Sequence, residues 1–201
     1  DGNIVCCVAP AVRLCEDGRV ALCDEGTWGP CETYPCPEGM AYVPAGEFWM
    51  GAGNPDNSCP DDQRHLNACP GHWVYLDAYC IDVLEVTQAE WVDCLDHGPC
   101  NGRDPAEFAS PGPNRPMTHL GWWDVDVYCR WRGKRPPTEA EWEKAARGLD
   151  ARLYPWGNDE PRCEHGREGG DCGPGRVGWD VGAFPANASQ FGLLDMYGGV
   201  W

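Results

Sequence analysis

The sequence is short of lysine, of long apolar stretches and of closely paired cysteines. Of its 15 basic residues only Lys134 and Lys144 are lysine, and 32 acidic residues leave a formal charge of −17. Binding to nucleic acid or anionic lipid needs a basic stripe to neutralise phosphates, so this balance excludes both partner classes. No apolar run approaches the ~20 residues of a bilayer span, and no membrane span is expected. Asp1 opens the chain without a charged and apolar leader, which leads to the expectation of a mature or trimmed chain. The C-x2-C pairs of zinc ribbons and fingers are absent.

What is present points to a compact, loop-rich protein. There are 14 Cys, 11 Trp, 26 Gly and 19 Pro in 201 residues. The Gly and Pro content predicts much irregular structure, while the tryptophans supply apolar area and indole N–H groups that need partners when buried. The cysteine spacings are loop-like: Cys59 to Cys69, Cys94 to Cys100 and Cys163 to Cys172. Such a pattern means disulfides and an extracytoplasmic location, whether secreted, periplasmic or at the cell surface.

Residues 1–37 form a Cys-rich module of their own, holding Cys6, Cys7, Cys15, Cys23, Cys31 and Cys36. Cys15-Glu16-Asp17-Gly18 recurs eight residues later as Cys23-Asp24-Glu25-Gly26. The repeat predicts short strands stapled by disulfides; six cysteines permit three internal bridges whose connectivity the sequence leaves open. The module is read as a stapled cap, with a partner-binding or spacer role as the alternative.

Beyond the Pro35–Pro37 boundary, residues 40–50 read as a β-hairpin turning at Pro44-Ala45-Gly46. Residues 73–81 read as another strand. Three helices are announced by their start signals. Thr87 and Glu90 form a capping box, with Val86 and Trp91 at the staple positions and Gly98 as the stop. A second helix starts near Asp124, packs Val125, Tyr128 and Cys129, and ends before Gly133. In the third, Thr138 and Glu141 repeat the box, with Trp142, Ala145 and Ala146 assigned to one face. After Gly148 turns predominate. The mixture is α+β.

The segment Tyr128-Cys-Arg-Trp-Arg-Gly-Lys-Arg-Pro-Pro-Thr-Glu-Ala-Glu-Trp-Glu-Lys-Ala-Ala-Arg-Gly148 closely resembles the signature of the formylglycine-generating-enzyme, or sulfatase-modifying-factor, family, with Pro136 where the family usually has Leu. Residues 40–51, Ile81-Asp82, Glu85-Val86-Thr87, Tyr154-Pro-Trp-Gly157 and residues 192–201 match further family blocks in the expected order. The resemblance covers residues 38–201. It implies a C-type-lectin-like α+β fold, and the domain is expected to be incomplete at its C-terminus, with exposed apolar surface and poor stability.

The family prototype oxidises a substrate Cys to formylglycine using molecular oxygen and copper held by two thiolates, soft ligands suited to Cu(I). In the family that pair lies beyond the block ending at Trp201, so no catalytic residue is carried onto this sequence, and Cu is expected only if a further segment carries the pair. Cys129 matches a family Cys that resembles a structural disulfide partner; here it either pairs with Cys80 or stays unpaired. The resemblance also implies a Ca²⁺ site at Asp195, Gly198 and Val200, incomplete because a Glu just past Trp201 would be needed and because six to eight oxygen donors are required.

Other chemistry is weaker. Cys59, His65, Cys69 and His72 could be drawn as a zinc cluster, but Cys59–Cys69 reads better as a loop disulfide. The acidic residues between Asp56 and Asp62 lack the Gly and terminal Glu of an EF-hand loop. Asn187-Ala188-Ser189 is a glycosylation sequon. A relative forming sulfur–carbon bonds with non-haem iron would need a His-rich helical domain, of which there is no trace. The expected function is therefore an extracytoplasmic, non-catalytic domain of this type with a protein or glycan ligand; the alternative is part of a copper-dependent oxidase.

Overall fold

The computed structural model describes residues 11–14, 20–24, 27–28, 36–52, 69–102, 104–107, 111–166 and 179–197. Among these residues the architecture is a small mixed α/β arrangement with three helices and small antiparallel sheets. In the N-terminal module β1 (Ala11–Leu14), β2 (Val20–Asp24) and β3 (Thr27–Trp28) form a three-stranded antiparallel sheet in chain order. The short strands expected from the eight-residue repeat are there, and Cys23 and Asp24 of its second copy end β2, opposite Trp28 and Thr27.

The expected hairpin over 40–50 is not formed. That segment makes two strands, β4 (Met40–Val43) and β5 (Gly46–Met50), which do not pair with each other. β4 pairs with β7 (Tyr79–Asp82) and β5 with β6 (His72–Leu76). The register explains why. Met40 faces Asp82 and Val43 faces Tyr79, while Gly46 faces Leu76 and Met50 faces His72. Each pair of numbers sums to 122, so the strands are one antiparallel ribbon interrupted at residues 44–45 and 77–78. Proline lacks the N–H that a ladder requires. The carbonyls of Pro44 and Gly46 instead accept from Nζ of Lys144, at 2.7 and 2.9 Å. An ammonium from a helix thus fills the break in the ladder.

α1 (Gln88–His97) starts as its sequence directs: Thr87 Oγ1 accepts from the Glu90 amide at 3.2 Å, and Glu90 accepts from the Thr87 amide at 2.8 Å. Gly98 ends it, its N–H donating to the Cys94 carbonyl. α2 (Trp122–Trp131) begins two residues before the expected start, because Asp124 is not its first residue but the group that caps Gly121 N–H, at 2.8 Å. α3 (Glu139–Arg147) repeats the α1 device through Thr138 and Glu141. Its buried face is Glu141, Lys144, Ala145 and Ala146, whereas Trp142, expected on that face, is exposed. Beyond α3, short 3-10 turns and an isolated Tyr154–Gly157 bridge are the main regular features.

Among the described residues two small cores result. Trp91, Cys94, Cys100, Met117 and Tyr128 pack between α1 and α2; Ala41, Val43, Ala145 and Leu193 pack between the ribbon and α3. The Cys94–Cys100 disulfide lies in the first, as its spacing led us to expect. The second bridge, Cys36–Cys80, corrects the picture of a module that closes its disulfides internally: its last Cys is tied to β7. Cys80 is therefore not the partner of Cys129, which carries a free thiol. Among the described residues no helix is long and apolar enough to cross a membrane.

Candidate functional site

The segment from Cys129 to Glu141 links α2 to α3 and, among the described residues, carries several charged contacts. Lys134 N–H donates to the Cys129 carbonyl at 2.7 Å, turning the chain back after α2. Its Nζ reaches Asp82 at the end of β7, at 2.5 Å. Arg135 meets Glu141 with both guanidinium nitrogens, at 2.7 and 2.5 Å, a bidentate fit that lysine could not make. Tyr79 Oη donates to the Glu141 carbonyl. Burial, reinforced by the Glu141 charge, pushes the Tyr79 hydroxyl well above the usual phenol range. The turn therefore ties two helices to the ribbon.

The Arg135 hydrogen bond, helped by the Thr138 amide and hydroxyl against the cost of burial, lowers the Glu141 carboxyl from 4.5 to about 2. A depressed folded-state value means stability that is present above the unfolded pKa and lost as pH falls towards 2. Arg135 is largely in water, which screens the pair. We expect Glu141→Gln to cost about 2 kcal/mol at pH 7 and the difference from the parent to close as the pH approaches 2. Urea denaturation at several pH values reads this directly. A gap that stays constant with pH would show that the charge is not what matters.

Cys129 sits beside this turn. Burial raises its thiol pKa first, with Asp82 adding to the effect and Lys134 opposing it. A half-buried thiol of this kind is poor in thiolate, the reactive and metal-binding form. The remaining cysteines whose side chains are described, Cys36, Cys69, Cys80, Cys94, Cys100 and Cys163, are all in disulfides. Cys59 and Cys172, the partners expected for Cys69 and Cys163, lie outside the described residues, as do His65 and the acidic stretch 56–62. The zinc grouping loses Cys69 to its disulfide, and His72 is exposed at the start of β6.

Asp195, the first of the three residues assigned to Ca²⁺, lies in a turn with φ +59°. Its carboxylate accepts from Gly182 N–H at 2.5 Å, and its own N–H donates to Asn187 Oδ1 at 3.2 Å. Burial raises its pKa, opposed by the bond from Gly182 N–H. Gly198 and Val200 lie outside the described residues, and among the described residues no group of three or more candidate ligands occurs. Asn187 is 1% exposed, and its Nδ2 is buried without a hydrogen-bond partner. The sequon amide is thus turned into the protein, not offered to solvent in the folded state.

Near Tyr197 four rings assemble. Trp156 is stacked between Tyr154 and His165, with centroids 5.0 and 4.0 Å away, and Tyr197 stands edge-on to Tyr154 and Trp156. His165 is buried and its Nδ1 lies 3.1 Å from Arg162 N, accepting that N–H. The cluster packs the Tyr-Pro-Trp-Gly turn against Tyr197 and His165. Sequence reasoning missed two features that matter more: the role of Lys144 and the Cys36–Cys80 tie. The first had a signal, a lysine followed directly by two alanines on the inward side of a helix.

Family membership follows from comparison with known proteins. Residues 29–201 match the sulfatase-modifying factor enzyme 1-like domain, and the chain belongs to that family. Its relatives differ in what they are named for. A hercynine oxygenase of Mycolicibacterium smegmatis is 29% identical over 192 residues, 79% of this chain and 43% of that protein. A formylglycine-generating enzyme of Bos taurus is 28% identical over 220 residues, 82% of this chain and 57% of that protein. An inactive C-alpha-formylglycine-generating enzyme 2 of Bos taurus is 42% identical over 127 residues, 59% of this chain and 39% of that protein. The chain thus spans roughly half the length of these curated relatives.

Proposed function

We propose that this chain is an extracytoplasmic, non-catalytic binding domain of the sulfatase-modifying-factor type, built on a C-type-lectin-like scaffold. One observation carries the reading: of the seven cysteines with described side chains, six are bridged and the seventh has its thiol raised by burial. Disulfides support an oxidising compartment. The same set does not fit copper, since Cu(I) needs a pair of thiolates and these residues offer one half-buried thiol. The similarity to an inactive formylglycine-generating enzyme homologue is compatible with a scaffold kept without its chemistry. A weak Ca²⁺ site at Asp195, Gly198 and Val200 belongs to this proposal as a structural ion.

The similarity to formylglycine-generating enzymes favours a second reading, that these residues are the scaffold portion of a copper-dependent oxidase acting on a substrate Cys. Thiol mapping separates the two. We expect Cys129 of the folded chain to be alkylated slowly, at least about tenfold slower than after denaturation, because little thiolate is present. We also expect the chain to lose Cu(I) to a competing chelator. Rapid alkylation of two cysteines together with stoichiometric Cu(I) retention would transfer the assignment to the oxidase.

A further inference from the structure

The half of the ribbon formed by β5 and β6 turns one face inward and one outward. Phe48 on the inner face is completely buried. On the outer face the cross-strand pairs are Glu47 with Tyr75 and Trp49 with Trp73. Directly opposite residues in an antiparallel pair have Cβ atoms about 5 Å apart, so these four side chains adjoin one another. Trp49 is buried and props Trp73 in a T-shaped contact with centroids 5.4 Å apart. Trp73 and Tyr75 are nonetheless 58% and 62% exposed, an unusual degree for two large rings side by side on a strand. Glu47 is exposed beside Tyr75, and Asp77 is exposed two residues further on.

Charge says what this face takes. No Lys or Arg occurs in residues 40–52 or 69–82, and the whole chain carries −17. Lys144, which reaches the ribbon, is completely buried with its ammonium on the Pro44 and Gly46 carbonyls. Aromatic faces attract cations through their quadrupole, and a neighbouring carboxylate adds an ion pair. Strand residues two apart repeat at about 6.6 Å, the repeat of alternate side chains in any extended segment.

From this we infer that the outer face of β5 and β6 docks an extended basic segment of a partner protein, with Arg or Lys side chains at alternate positions seated on Trp73 and Tyr75 and the second cation paired with Glu47. The inference deepens the binding-domain reading and rests on it. The two fail separately, since the thiol and copper measurements do not involve this face.

The test uses the full chain and a fluorescent decapeptide alternating Arg and Thr, with citrulline replacing Arg in a neutral control, titrated at low ionic strength. Preference for the Arg peptide is expected. Trp73→Ala with Tyr75→Ala should weaken it about tenfold, and Glu47→Gln about threefold. Trp122→Ala with Trp123→Ala, which removes an exposed aromatic pair on α2, should change it less than twofold. Near-UV circular dichroism checks each fold, and Glu47→Gln and Tyr75→Ser decide the matter if the double variant is unstable. Equal affinity for the two peptides would overturn the proposal. So would binding unaffected by the Trp73 and Tyr75 changes, which would reveal diffuse attraction to net charge.

Discussion

Replacing Trp91 by Ala is expected to lower the unfolding free energy by about 4 kcal/mol. Trp91 is completely buried in the core between α1 and α2, with the Tyr128 ring 5.9 Å away and the Cys94–Cys100 disulfide in the same cluster. Removing an indole costs both its transfer free energy and the cavity left behind. The neighbours cannot close over that cavity: Cys94 and Cys100 are covalently joined, and both helices are fixed at their starts by side-chain caps. Tyr128, whose hydroxyl burial raises to about 12, would gain solvent. Urea denaturation should show the lowered midpoint, and phenol titration should show the Tyr128 value falling back towards 10. A loss below about 1 kcal/mol would mean that this cluster is not where the stability resides.

The second large effect belongs to the Cys36–Cys80 bridge, whose sequence separation is 44. The loop-entropy relation gives about 4 kcal/mol for a closed loop of that size. Cys69, within that loop, is itself held in a disulfide that already restricts the unfolded chain, so about 3 kcal/mol is the expected loss for Cys36→Ser with Cys80→Ser. Because the bridge acts chiefly on the unfolded chain, the urea m-value should rise as well, reflecting a more expanded denatured state. An unchanged midpoint would show that other contacts, such as Met40 N–H to the Pro37 carbonyl, already hold this entry point.

Much of the helical structure was legible because its signals are local. The capping boxes at Thr87 and Thr138 and the stop at Gly98 depend on residues a few positions apart, and each is formed. Cys94 and Cys100 were readable for the same reason. What escaped is non-local. Residues 40–50 carry turn chemistry at Pro44-Ala45-Gly46, and nothing within them says that the strands seek partners in residues 72–82. Cys36 could not be assigned to Cys80 from spacing alone. Trp142 was placed inward by helical period, yet Glu141 and Lys144 take the inner positions because each has a specific partner there. At the candidate site, Asp195 was identifiable only through family resemblance, and its burial and its bond to Gly182 required the fold.

The buried ammonium of Lys144 has a consequence for how the molecule opens. Strand amides are usually protected by their neighbours in the sheet, and helix amides by their own turns, so the two can exchange with solvent independently. Here the bend of the ribbon takes its missing donors from the middle of α3. Fraying α3 withdraws them and leaves two carbonyls bare; parting the ribbon strands a buried cation. Each event alone carries the cost of unpaired buried polar groups, so β4, β5, β6, β7 and α3 are expected to expose their amides together in hydrogen exchange.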